Sequence, residues 1–417
     1  MRGTGVLAFV LCLLPAGVWS ADYRASAADY REVIGRLQPG DRVLLAAGDY
    51  LHGLPLHRLA GQAGRPITIE AADVAAPPRF IARPGSNTVS LVDVRHLVLR
   101  DLELDGANIP VDALKAEGHS RFADFITIER LYIHDYAASQ QNAGISTKCP
   151  TFGWIIRDTR ITRAGTGMYL GDSDGSDPFV AGLIEGNHVS RTRGYNLQIK
   201  HQTSRAPGLA PRYDTVIRHN VFSKRGSLPA PHARPNLLLG HFPLTGSGAA
   251  DRYLVYGNLF LDNLSEALVQ AEGRVSLYDN VLVNAGGDAI HIQPHNDVPR
   301  DIDIFSNTVL ASGTGIRIRR GAGARYRQWL AANLVAADSP VEGRAPHGNV
   351  LLNYDPAWLA VGVSDLSSRM LAGRPRPSGL SRADARRLAA YPDWRPATHA
   401  GARIPPALLR AMGRGRP

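Results

Sequence analysis

Lysine is scarce in this chain: of its 47 basic residues only Lys115, Lys148, Lys200 and Lys224 are lysine. Two of the four occupy equivalent places in short phrases of alternating apolar residues, GISTKC and NLQIKHQ. Aligning all such phrases, with Ile145, Met168, Leu197, Leu237, Leu268, Ile290 and Ile316 pointing inward, gives two outward columns. The first reads Ser146, Tyr169, Gln198, Leu238, Val269, His291 and Arg317; the second reads Lys148, Gly171, Lys200, Gly240, Ala271, Gln293 and Arg319. Residues of one column are roughly 4.8 Å apart when such strands stack. Just beyond lie Asp172, His201, His241 and Glu272. Amines beside imidazoles and carboxylates are equipment for proton transfer, with an imidazole as acid or shuttle. Lys200, His201 and His241 are therefore candidate catalytic groups, and Lys148, Tyr169, Gln198, His291, Arg317 and Arg319 candidate substrate contacts. The competing reading is plainer: an outward lysine is solvated, and histidines at strand ends bond turn backbone.

Two further clusters carry less chemistry. His291 and His295, with Asp297, are four apart across a proline and outside any helix, a poor ligand pattern, so no metal site is assigned. Asp172, Asp174 and Asp177 in GDSDGSD lack the twelve-residue spacing and final glutamate of a calcium loop and read as a polar turn.

The elements that position these residues announce themselves by repetition. LIEGNHV, VIRHNVF, LVYGNLF, SLYDNVL, DIFSNTV and WLAANLV place asparagines at Asn187, Asn220, Asn258, Asn280, Asn307 and Asn333. Their spacing, 22 to 38 residues, is that of one structural repeat. Each repeat also holds a strand-like phrase of period two (GMYLGD, NLQIKH, NLLLGH, AIHIQP), so it contains at least two short strands separated by turns. Such coils bury their apolar side chains only by stacking, which aligns the asparagines into a buried ladder bonded to turn backbone. The fold class implied is all-β, a parallel β-helix. Tyr256, Tyr278 and Phe305 share an outward column and read as an aromatic ladder between coils, with a sugar-stacking platform as the alternative.

Around this core, DYREVIGRLQPGDRVLLAAG reads as a short capping helix, a turn at Pro39-Gly40 and a first strand. Residues 1–20 read as a secretory leader, 21–360 as the capped solenoid and 361–417 as an Arg/Pro-rich appendage with one short helix around SRADARRLAAY. An exported protein, periplasmic or secreted, is expected, without a membrane span. With Cys12 in the leader, Cys149 is alone and no internal disulfide is available. The net charge of +10 arises largely in residues 361–417, where eleven arginines face three aspartates. The body is nearly neutral, which argues against a nucleic-acid partner; the tail reads as solvated, or as a grip on acidic polysaccharide or anionic lipid. A monomer is expected.

PGDRVLLAAGDY, GRPITIEA and HLVLRDLELDG resemble the start of right-handed parallel β-helix proteins of the pectate lyase-like superfamily, nearest to polysaccharide lyase family six, the alginate lyase and chondroitinase B group. The resemblance spans about residues 27 to 340. It implies β-elimination on an acidic, uronate-containing polysaccharide, with a lysine base, an assisting arginine and a calcium ion at the substrate carboxylate. Carried over, it puts Lys200 at the base and His241 at the family's histidine, while Gly240 stands where the family has its arginine. Arg218 and Arg225 are the candidates to replace that guanidinium. Arg193, Gly194, Tyr195 and Asn196 occupy the stretch where acidic calcium ligands are expected, which leaves the cofactor open. A non-catalytic polysaccharide-binding or surface β-helix and a C5-epimerase are the alternatives. A polygalacturonase-type hydrolase is disfavoured, since paired aspartates on one face are missing.

Overall fold

The computed structural model describes residues 20–203, 205, 208–228, 230–319, 326–343, 348–373, 382–395 and 400–414. The leader expected over residues 1–20 lies, up to residue 19, outside them, as do Arg374, Arg376 and Arg416. The chain winds into a parallel β-helix with three faces rather than two. The first runs from Asp22–Ala25 through Ile155–Arg157 and Arg252–Tyr256 to Gln328–Ala331. The second runs from Gly48–Tyr50 through His188–Ser190 to Val350–Leu352. The third runs from Leu54–His57 through Leu197–Ile199 and the distal part of Thr308–Ile318 to the distal part of Leu334–Glu342. Every paired strand is parallel and in register with the coil before it, so identical positions stack. One continuous apolar core fills the lumen, from Ala25 to Val341.

Each asparagine phrase is two strands with the asparagine at the corner between them. The residue before the asparagine takes a left-handed backbone: Gly186, His219, Gly257, Asp279, Ser306 and Ala332 have φ between 50° and 66°. This turn folds the first face onto the second. The asparagines are fully buried. The Oδ1 of Asn220 accepts both the backbone N–H and the Nδ2–H of Asn187, each at 2.9 Å, and the pattern repeats through Asn258, Asn280, Asn307 and Asn333. The Nδ2 groups also donate to carbonyls of the preceding coil, such as Ile184 and Ile217. Asn349 extends the ladder by one rung and Thr159 begins it.

The N-terminal end is closed by the helix Tyr30–Ile34, whose Tyr30 packs edge-on against Tyr50 and Phe80. A strand missed in the sequence, Asp22–Ala25, precedes it and pairs with Arg42–Leu45. The C-terminal segment docks along the flank of the solenoid. Tyr256, Tyr278 and Phe305 stack at 4.8 Å with their planes within 12° of parallel, and Tyr391 and Trp394 cover them, so the aromatic column is a structural ladder that sugar does not reach. Fully buried Asp303 accepts from Arg252, Arg327, Arg387 and the Tyr391 hydroxyl. Farther on, Gly401 donates to the Ala332 carbonyl, the helix Pro406–Gly413 packs on Val221 and Leu259, and Arg414 pairs with Asp158. Arg387, Arg403 and Arg414 are thus partnered by the solenoid itself.

Removing one rung exposes the ladder's worth. Asn258→Ala leaves the buried N–H groups of Asn220 without an acceptor, and each such orphan costs about 1–3 kcal/mol. The expected result is a fall in the urea unfolding midpoint corresponding to about 3 kcal/mol or more, whereas Asn349→Ala, at the ladder's half-exposed end, costs less than half of that.

Candidate active site

The third face carries the candidate groups, and its register corrects one of them. Leu54, Val89, Leu114, Ile145, Met168, Leu197, Leu237, Val269, Ile290 and Ile316 form the inward column. Val269, not Leu268, points inward, so the outward residues of that coil are Gln270 and Glu272 instead of Val269 and Ala271. Ala267, Leu268 and Val269 are all buried, and three consecutive apolar residues leave the parity of a strand undetermined in the sequence. The second outward column therefore reads Glu117, Lys148, Gly171, Lys200, Gly240, Glu272, Gln293 and Arg319.

Lys200 sits on the floor of a groove of about 230 Å³ walled by Tyr195, His201, Arg234, Glu266 and His295. Its neighbours along the column are both glycine. Gly171 has φ +89°, and a Cβ at Gly240 would collide with the backbone of His201. Close coil packing thus excludes an arginine at 240 and leaves the lysine open on both sides. Burial pulls the Lys200 ammonium below the ordinary lysine value; Asp172 and Glu272 oppose this, and Arg234 adds to it. Among the described residues Lys200 has no ion-pair partner.

Two coils away Lys148 lies 3.4 Å from the ring centroid of Tyr169, and Lys200 lies 6.0 Å from the same centroid. Burial brings Lys148 down to about 8, with Asp112 opposing and Lys115 and Lys200 reinforcing the shift. Tyr169 is fixed by a 3.0 Å hydrogen bond with Ser173. On the coil of Lys200 itself Gln198 is buried and its Oε1 has no partner among the described residues, so an acceptor is held at the groove floor for an incoming donor.

The remaining predicted groups separate. Arg218 is on the first face, bound to Glu185, the Tyr256 hydroxyl and Asp393, and is not brought to Lys200; Arg225 pairs with Asp262. His241 is buried, its Nδ1 at 2.6 Å from the Phe242 carbonyl and its Nε2 at 3.2 Å from that of Val298, so its ring braces loop backbone instead of lining the Lys200 groove. His201 does line it. His291 contacts Asp288 and Arg317, and Arg317 bonds Asp288 and Glu342, a closed network three and four coils past Lys200. Arg319 is exposed beside it. Asp172 spends its carboxylate on the amides of Gly175 and Asp177, as a polar turn does.

Arg234, Glu266 and Gln270 are groove residues that sequence reasoning missed. Arg234 stands on an insertion in the longest gap between asparagines, Asn220 to Asn258, and that gap was the available signal. Its guanidinium lies over the Tyr195 ring at 5.6 Å.

The donor set does not fit calcium. The stretch before Lys200 supplies no carboxylate, and Glu272 is consumed by the backbone N–H groups of His241, His295 and Asn296. Among the described residues the set of three histidine and carboxylate groups whose ligand atoms all draw within 4.8 Å of one another is Asp105, His134 and Asp135 on the second face, where Asp135 already holds Arg163 at 2.5 Å. His291, His295 and Asp297 form no such group.

No family model matches this sequence, and no curated protein matches it. Solved structures do. A GH136 lacto-N-biosidase from Eubacterium ramulus aligns at 14% identity over 80% of this chain and 68% of its own, with a TM-score of 0.51. Pectate lyase Pel9A aligns at 13% over 87% of each chain, TM-score 0.47, and an alginate lyase from Paenibacillus sp. str. FPU-7 at 14% over 80% of this chain and 98% of its own, TM-score 0.39. The likeness is one of fold, a parallel β-helix. That is the architecture the sequence implied, and the β-helix groove is where its polar, partly desolvated groups converge.

Glu272 holds the wall of that groove through charge-assisted bonds to the 295–297 backbone. Glu272→Ala is expected to raise hydrogen exchange of the His295 and Asn296 amides by about 10–100-fold while amides of the asparagine ladder stay protected, as read by mass spectrometry.

Proposed function

We propose that this protein cleaves an acidic, uronate-containing polysaccharide by β-elimination in the groove around Lys200, acting after export in the periplasm or medium. The observation that carries the reading is Lys200 itself: an unpaired, partly desolvated amine, opened by two glycines and faced by a guanidinium. Burial of the ammonium favours the neutral amine that a base must be. In the step proposed, Lys200 takes the C5 proton of a bound uronate. The C–H electrons become the C4–C5 double bond, the C4–O bond breaks, and the leaving oxygen takes a proton from the groove wall, where Tyr195, His201 and His295 are the donors available. Arg234 offsets the charge that grows on the carboxylate as the proton leaves, while the Gln198 Oε1 accepts from a sugar hydroxyl. It takes the part assigned by resemblance to position 240, and Lys148 and Tyr169 contact the neighbouring sugar. No step involves a metal ion.

Hydrolysis is a poorer match. It asks for two carboxyl groups flanking one bond, and of the groove's two, Glu266 and Glu272, the second is committed to backbone amides. Epimerisation shares the first proton transfer and differs in returning a proton to the opposite side of C5 with the C4–O bond intact.

Incubation with alginate, chondroitin, dermatan, pectate and gellan-type polymers, read by the ultraviolet absorbance of unsaturated uronic ends, is expected to show turnover on one of them. Lys200→Ala should lower kcat about 10³-fold and Arg234→Ala about 10²-fold or more. Absence of any rise overturns the lyase; C5 proton exchange in solvent deuterium would then indicate an epimerase, and its absence a binding module.

The pH profile gives an independent check. A base must lose its proton, so kcat/KM should rise with pH and level off at an apparent pKa below the ordinary lysine value of about 10.4. A limb at or above that value contradicts Lys200 as the base.

A further inference from the structure

The same face carries a second polar cavity that the proposed chemistry does not use. It lies at the N-terminal end, beneath the capping helix, with a volume of about 420 Å³. Arg31, His52, His57, Arg83 and His119 converge there on Asn87 and Ser90, and Glu117 is the acid among them. Glu117 is already occupied, since Asn87 Nδ2 donates to it at 2.8 Å and Lys115 lies 3.9 Å away. Among the described residues neither Arg31 nor Arg83 has an ion-pair partner, and the His57 contact is Nε2 with the Ser90 hydroxyl at 3.2 Å. Two guanidiniums and three imidazoles, all exposed at its rim, therefore share one depression with a single carboxylate, that of Glu117.

The placement is as telling as the composition. His57 stands three residues past Leu54, as Lys200 stands three past Leu197, and Leu54 and Leu197 belong to one inward column. Five coil steps separate them, about 24 Å along a straight face. Lys115, Lys148 and Tyr169 lie between.

We propose that this cavity is an anion-binding site for carboxylate or sulfate groups of an acidic polysaccharide, an anchor remote from Lys200 that tightens as His57 gains a proton. The anchoring role rests on the lyase reading; the anion site does not. His57 is surrounded by His119, Arg58 and Arg31, which disfavour its proton, and by Glu117, which favours it; burial is the largest influence and holds it below the ordinary histidine value. An arriving oxyanion reverses that balance, so binding takes up protons and strengthens as pH falls. Sugar carboxylates remain ionised throughout this range. A polymer long enough to reach both sites gains from a high effective concentration at the second once held at the first, and a disaccharide does not.

The test is calorimetric titration of the full-length protein with the same polymers, including polyuronate and sulfated chondroitin arms, and with disaccharides, at pH 5.5 and 7.5. The result expected is at least tenfold tighter polymer binding at pH 5.5, with proton uptake measurable in buffers of different ionisation enthalpy. Replacing the cavity's imidazoles together, His57→Gln with His52→Gln and His119→Gln, should remove the pH dependence, and Arg31→Ala with Arg83→Ala should weaken binding at both pH values. The polyuronate and sulfated arms distinguish carboxylate from sulfate as the group bound. Lys200→Ala should keep the pH-dependent binding while losing turnover, so loss of the lyase reading alone leaves this result standing. Polymer binding that is absent, or equally pH-dependent when all three imidazoles are replaced, overturns the site.

Discussion

The hydrogen-bonded corner between the first and second faces is the constraint on which the molecule depends. Each coil must turn there through a left-handed residue. For His219, Asp279, Ser306 and Ala332 that conformation costs roughly 1 kcal/mol or more, because a Cβ crowds the carbonyl. The asparagine next in the chain repays it: its Oδ1 takes two N–H donors from the previous coil and its Nδ2 returns bonds to neighbouring coils, all out of water. Because the ladder fixes the vertical register, every column on the third face is fixed with it. Lys148, Gly171, Lys200 and Gly240 fall in one line only because Ile145 stacks on Met168, Met168 on Leu197 and Leu197 on Leu237.

Much of this was legible in the amino-acid order, for a physical reason. A stacked repeat translates sequence period directly into spatial adjacency, so the asparagines, the aromatic column and the lysine column could be read without coordinates. The failures have reasons too. The third strand of each coil was hidden because an asparagine phrase contains a corner and reads as one strand. The slip at Leu268 arose where buried residues run consecutively and alternation vanishes. Arg234 was invisible because insertion loops obey no period, and only the lengthened gap betrayed one. Arg218 was drawn toward Lys200 by proximity in the chain, whereas neighbours in sequence can occupy different faces; His241 was placed by resemblance and does follow Gly240 on the third face, but its ring turns to the carbonyls of Phe242 and Val298.

Net charge misled in a similar way. The arginines of the C-terminal segment looked like a solvated or polyanion-seeking tail. Several are instead structural: Arg387 meets Asp303, Arg403 lies 3.6 Å from Asp279, and Arg414 binds Asp158 and the Gly186 carbonyl. Burial raises the Asp279 carboxyl to about 6 despite the opposing Arg403. A count of charges records none of this, because it ignores which carboxylates the fold has buried and must pair.

The route of that segment has a mechanical consequence. Stacked-coil proteins behave as chains of nearest-neighbour units, free to fray from an end or part in the middle. Here the last described stretch runs backward along the flank, from the coil of Ala332 to that of Asp158, six rungs apart, touching the solenoid through backbone, aromatic and ionic contacts on the way. Peeling the terminal coil then means breaking a strap fastened to the middle. Units that would otherwise open one by one are tied into a common event, and a protease waiting for a frayed end meets a higher barrier.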